Sequence, residues 1–214
     1  MEYLKRFLIL SILCIVLISC QGNGRIIEDI YDHLAATVLI EEDFEKHQEK
    51  INQLESEEHK IYNEIISLGD EEKAEIKELT VEAKHILDEK MEYINLIKET
   101  LAQSRDEFEK IEPLIEQIKD EEQLDYVTTM FDTMAKRYNS YEEVYQSYVE
   151  SVQLTNELYE EFSSEENTAA DIYSLIGSIN DSYEAILEAN EQFNKETILY
   201  NNLKEDFYHL LDQK

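Results

Sequence analysis

The sequence predicts an all-α fold, an elongated four-helix up-and-down antiparallel bundle with coiled-coil-like packing. Three observations predict it. Four glycines and one proline in 214 residues are too few for the turns that an all-β chain needs. Apolar residues recur at steps of three and four over four long stretches, the spacing of one buried helix face. The breaks between stretches are short, so consecutive helices must reverse direction. A long three-helix bundle, with the first two stretches merged through Gly69, is the alternative.

The chain opens with a leader. Lys5 and Arg6 precede an apolar run, "FLILSILCIVLI", which is shorter than the roughly 20 residues that span a bilayer and suits a signal peptide. The run ends in Leu17-Ile18-Ser19-Cys20, which resembles a bacterial lipobox. A small Ser19 lets the scissile bond enter a signal peptidase, and the Cys20 thiol accepts a diacylglycerol as a thioether. After cleavage between Ser19 and Cys20, two or three acyl chains give stable anchoring where one would be marginal. The expected organisation is a signal peptide at 1–19, a lipidated tether at 20–25 and a helical bundle at 26–214. Cys14 lies inside the leader, so the folded part holds no internal disulfide, no cysteine zinc site and no thiol nucleophile.

The first helical stretch, about 26 to 68, follows Ile27, Ile30 and Leu34, then Phe44, His47, Ile51, Leu54, Ile61, Ile65 and Leu68. Gly69 suits a left-handed C′ position and Asp70 an N-cap, giving a tight reversal. The second, about 71 to 118, follows Ile76, Leu79, Ala83, Ile86, Tyr93, Ile97, Leu101, Phe108 and Ile111, with Pro113 kinking its end or opening a short helix. Asp120 with Gln123 reads as a variant capping box opening the third. That third stretch runs without a fault from Leu124 through Tyr138, Tyr141, Tyr145 and Tyr148 to Phe162. Thr168 is the expected cap of the fourth, which follows Ile172, Ile179, Ile186, Phe193, Tyr200 and Phe207, its apolar stripe widened by Leu187, Leu203 and Leu210. Each helix would be ~60 Å long. Both chain ends and the 119–123 loop then face the membrane, and the turns at 69–71 and 163–168 face outward.

The charge excludes several functions. Fifty acidic residues oppose nineteen basic ones, for a formal charge of −31, or about −32 from Cys20 onward because the leader carries Glu2, Lys5 and Arg6. Nucleic acid and anionic lipid headgroups need clustered cations and are not expected partners. No Gly-rich phosphate loop, nucleophile elbow or H-E-x-x-H is present. Glu82-x-x-His85 and Asp206-x-x-His209 each have the spacing of half a two-metal carboxylate centre, but helix register sets them ~40 Å apart. No catalytic, metal or cofactor-binding residue is therefore assigned. "RYNSYEEVYQSYV" could stack on sugars, yet its tyrosines occupy seam positions of the most regular heptad, which favours core.

Together with the lipobox, "YNEIISLG", "FEKIEPLIEQIKDEE", "AKRYNSYEEVYQSY" and "ANEQFNKETILYNNLKEDFY" resemble the YkyA-type cell-wall-binding lipoproteins of Bacillus and its relatives. The resemblance covers Cys20 to the C-terminus and carries no catalytic motif. It implies a Gram-positive source, a helical bundle and a lipid-anchored protein on the outer face of the cell membrane. The expected function is non-enzymatic wall binding, with an envelope protein-interaction scaffold as the alternative. Teichoic acids would repel so acidic a domain, so wall binding is expected to use peptidoglycan, cationic partners or bridging divalent ions.

Overall fold

The structure, a computed structural model, describes residues 24–164 and 168–212. The leader, Ser19, Cys20 and the first tether residues lie outside the described residues. Among the described residues helix α1 covers 24–40, so Gly24 and Arg25, read as tether, are already helical. Helix α2 spans Phe44–Ser67, α3 Lys73–Phe108, α4 Glu112–Ile115, α5 Glu121–Ser163 and α6 Ala169–Asp212. No strand occurs among the described residues.

Four rods result: α1 with α2, α3 with α4, α5, and α6. Neighbours run antiparallel. Lys98 reaches Glu142 and Lys84 reaches Glu160 across α3 and α5, while Lys50 meets Glu89 across α2 and α3. Tyr31 near the start of α1 packs on Tyr208 near the end of α6, with ring centroids 5.2 Å apart. The start of α1 and the end of α6 therefore share one end of the rod, with the 116–120 connection. The turns after Ser67 and Ser163 form the other. At 43 and 44 residues, α5 and α6 are each about 65 Å long. The up-and-down four-helix bundle is the observed fold; the chain reverses at Gly69, so the three-helix alternative does not occur.

Local chemistry explains the boundaries. Asp120 caps α5 by accepting from the Gln123 N–H at 3.0 Å, and Thr168 caps α6 by accepting from the Asp171 N–H at 3.2 Å. Pro113 sits in the first turn of α4, where its missing N–H costs no intrahelical bond.

Three details differ from the sequence reading. Gly69 is extended (φ −105°, ψ 176°), not left-handed, because Leu68 already leaves the helix in an extended conformation. Its N–H donates to Glu72 Oε2 at 2.5 Å, and Asp70 opens a 3₁₀ turn, Asp70–Glu72, instead of capping α3. The first stretch is interrupted at residues 41–43, where i→i−3 bonds replace the helical ladder: Glu42 N–H to Leu39 O and Phe44 N–H to Glu41 O. The buried stripe nevertheless continues through Thr37 and Glu41, polar residues standing between Leu34 and Phe44. Finally, Leu187 does not widen the buried stripe of α6 but is 70% exposed.

The core runs the length of the rod. Ile30, Leu34, Ile51, Leu54, Leu87, Ile94, Ile97, Phe108, Ile111 and Phe207 are almost wholly removed from water. Burial of this apolar surface drives the association of helices that are charged on their other faces.

Candidate functional site

Tight packing joins α2 to α3, α3 to α5 and α5 to α6. The fourth side of the bundle, between α2 and α6, stands open, and cavities of 450 Å³ and 290 Å³ follow one another along it. A larger cleft of 730 Å³ lies at the end of the rod away from residue 24.

Two helical rows form the walls of this groove. On α2, Gln48, Asn52, Glu55, His59, Tyr62 and Ile66 recur at steps of four and three beside the buried row that contains Ile51, Leu54, Glu58, Ile61 and Ile65. On α6, Ile176, Asn180, Tyr183, Leu187, Asn190 and Asn194 do the same in the opposite direction. Tyr148, Thr155 and Leu158 of α5 provide the floor. Phe44 and Phe193, with centroids 5.9 Å apart, close the groove toward the end that holds residue 24.

The reason the seam stays open lies in these residue types. In α6, the heptad row Ile179, Ile186, Phe193, Tyr200 and Phe207 is buried, while its neighbours Ile176, Tyr183, Asn190 and Thr197 are only half-buried. Amides opposite amides gain little from leaving water, so no apolar drive closes the fourth side.

The walls are also nearly free of charge. Of the twelve wall positions, one, Glu55, is a carboxylate, in a chain where charged residues make up 32%. Burial pushes the Glu55 carboxyl above the usual carboxylate range, helped by the nearby Glu58 charge and opposed by Lys90. Glu58 lies beneath, buried, and accepts a hydrogen bond from the Tyr159 hydroxyl. Burial and the Glu55 charge raise the Tyr148 phenol to about 12, against the hydrogen-bonding pull of Gln48 and Asn190.

The cleft at the far end differs in character. Ile65, Ile76, Phe162 and Ile172 give it apolar walls, with Ile66 and Tyr173 exposed at its mouth and Lys73 and Lys77 on its rim.

The tyrosines of α5 are placed largely as the heptad predicts. Tyr138, Tyr141 and Tyr148 are buried. Tyr145 is half-buried, donates to Asn95 Oδ1 at 3.1 Å and carries the Lys98 ammonium 3.7 Å from its ring centre. His209 is exposed, 3.8 Å from Glu205 of its own helix, and among the described residues no three His, Cys, Asp or Glu side chains converge as a metal site. The groove itself was missed from sequence. Its signal was a second 4-3 row of amides and tyrosines running beside each apolar seam.

Fold and site together define a class: an antiparallel four-helix rod with one open, charge-poor side. The chain belongs to the YkyA family, described as "Putative cell-wall binding lipoprotein", whose model matches residues 25–210. Over 196 residues it is 26% identical to the uncharacterized lipoprotein YkyA of Bacillus subtilis (strain 168), covering 92% of this chain and 87% of that one. It also resembles a crystal structure of a conserved protein of unknown function from Staphylococcus aureus. The TM-score is 0.62 at 14% identity, covering 88% of this chain and 95% of the other, a likeness of fold.

Proposed function

We propose that this chain is a lipid-anchored, extracytoplasmic rod that binds the cell wall and performs no chemistry of its own. Cys20 carries the lipid after cleavage of residues 1–19. The observation that carries the reading is topological. Gly24, four residues beyond Cys20, already lies in the first helix, at the end of the rod where the described part of α6 also finishes. A lipid there sets the rod's foot on the membrane and its two far turns ~60 Å away, toward the wall. Among the described residues no helix is long and apolar enough to cross a membrane. The family's description supports wall binding.

The test is sedimentation of the purified, detergent-solubilised lipoprotein with isolated wall, before and after teichoic acid is stripped. Binding that survives stripping is expected. Wall that pellets without the protein in both states would refute the reading.

An envelope interaction scaffold is the second reading, favoured by the apolar cleft at the far end and its two lysines. A stoichiometric membrane partner co-purifying with the protein, lost in Tyr173→Asp, would support it.

A further inference from the structure

We propose that the open seam between α2 and α6 is a binding groove for an uncharged, N-acetylated glycan strand, gripped by Asn52 and Asn194 and by the rings of Tyr62 and Tyr183, over a floor oriented by Asn190. This rests on the wall-binding reading above and assigns it a site and a ligand class.

Three observations point to a neutral glycan. The first is composition against background. The chain presents carboxylates on most of its surface, yet this groove is lined by amides, tyrosines, a histidine and aliphatic side chains, with two carboxylates, Glu55 on the wall and Glu58 buried beneath it, bonded to Tyr159. A polyanion approaching this molecule is repelled by its net charge of −31, whereas a neutral polymer meets no such barrier.

The second is chemical fit. A primary amide both donates and accepts, so the exposed Asn52 and Asn194 can pair with a hydroxyl or an acetamido group in either sense. Half-buried Asn190, whose Nδ2 donates to Ile186 O at 3.0 Å and whose side chain meets the Tyr148 hydroxyl, orients the floor. Tyrosine rings offer flat apolar faces to the C–H faces of sugar rings. Binding clefts combine such apolar surface with a few placed polar groups.

The third is shape. From Gln48 to Tyr62 the groove follows α2 for about 21 Å, open to solvent on one side. That form accepts an extended chain of several rings from the side, without an end to thread. An amphipathic helix would seek the opposite lining, an apolar stripe flanked by charges.

The test uses the full-length lipoprotein in detergent, with chitotetraose, a neutral N-acetylglucosamine tetramer, as the calorimetric probe and isolated wall in parallel. Wild type should bind chitotetraose saturably. Asn52→Leu with Asn190→Leu should weaken it at least tenfold while the circular dichroism stays helical; Asn52→Leu alone, at an exposed position, should weaken it by several fold. Glu142→Gln, outside the groove, should leave it unchanged. Two results would overturn the proposal: a helical double variant binding the tetramer as wild type does, or wild type ignoring it. If wild type ignores the tetramer yet still sediments with wall, the site fails and wall binding stands. Loss of wall sedimentation with retained tetramer binding refutes the wall reading instead. A polypeptide crosslinked into the groove, with no glycan bound, also overturns the proposal.

Discussion

Arg137 of α5 grips the Glu41 carboxylate with two hydrogen bonds, 2.9 Å and 2.7 Å long, inside the bundle and not on its surface. Glu41 also accepts from Ser104 of α3, which shares a 2.8 Å hydrogen bond with Tyr138. Arg137 Nε donates to Thr197 of α6 at 3.0 Å, and its guanidinium lies 4.9 Å from the Phe193 ring centre. One charged pair thus ties all four rods together where α1 gives way to α2.

Removing either partner alone leaves the other charge buried. Arg137→Met and Glu41→Leu should each lower unfolding stability by about 3 kcal/mol or more. The double variant should cost clearly less than the two together, as a double-mutant cycle in urea would show.

Alkali should unfold the rod cooperatively. Burial holds the phenols of Tyr138, Tyr141, Tyr159, Tyr183 and Tyr200 well above their ordinary value, and Tyr148 at about 12. Their folded values exceed the unfolded value near 10, so their contribution is whole below pH 10 and falls away above it. Phenolate absorbance from these rings should rise together with loss of helical circular dichroism. A rise well before helix loss would refute this.

Lys90 is 1% exposed, and its charge restrains the upward push on Glu55. Lys90→Met should raise the Glu55 titration midpoint further, as read by carboxyl NMR. A Glu55 carboxyl protonated over a wider range is destabilised when charged. The variant's stability, relative to wild type, should therefore fall as pH rises through that midpoint.

Cys20→Ser should abolish incorporation of radiolabelled palmitate and accumulate a chain of precursor size in cells. Normal labelling would remove the anchor from the proposal.

Much of this architecture could be read from residue spacing. The α5 heptad, the Asp120 and Thr168 caps and the short helix at Pro113 are local features, set by side chains within a few positions of one another. The interior charges were not legible, because burial of Arg137 depends on a carboxylate 96 positions earlier in the chain. The break at 41–43 was hidden for the same reason: Thr37 and Glu41 carry the stripe there with polar atoms. The groove escaped because an amide row and a solvated flank look alike until the facing helix stands off.

The interior charges have a consequence for alignment along the axis. The polar layer at Glu41, Ser104 and Thr197 recurs two heptads away at Glu55, Lys90 and Tyr183, about 21 Å along the rod. Between them, α5 offers tyrosines at nearly every step, and such a uniform surface would let a neighbour slide by seven residues at small cost. The two layers act as index marks, since a first rod slipped by one heptad would set Leu34 or Gln48 in place of Glu41 against Arg137 and leave both charges without their partner. Alignment in this rod is kept by a few expensive mismatches.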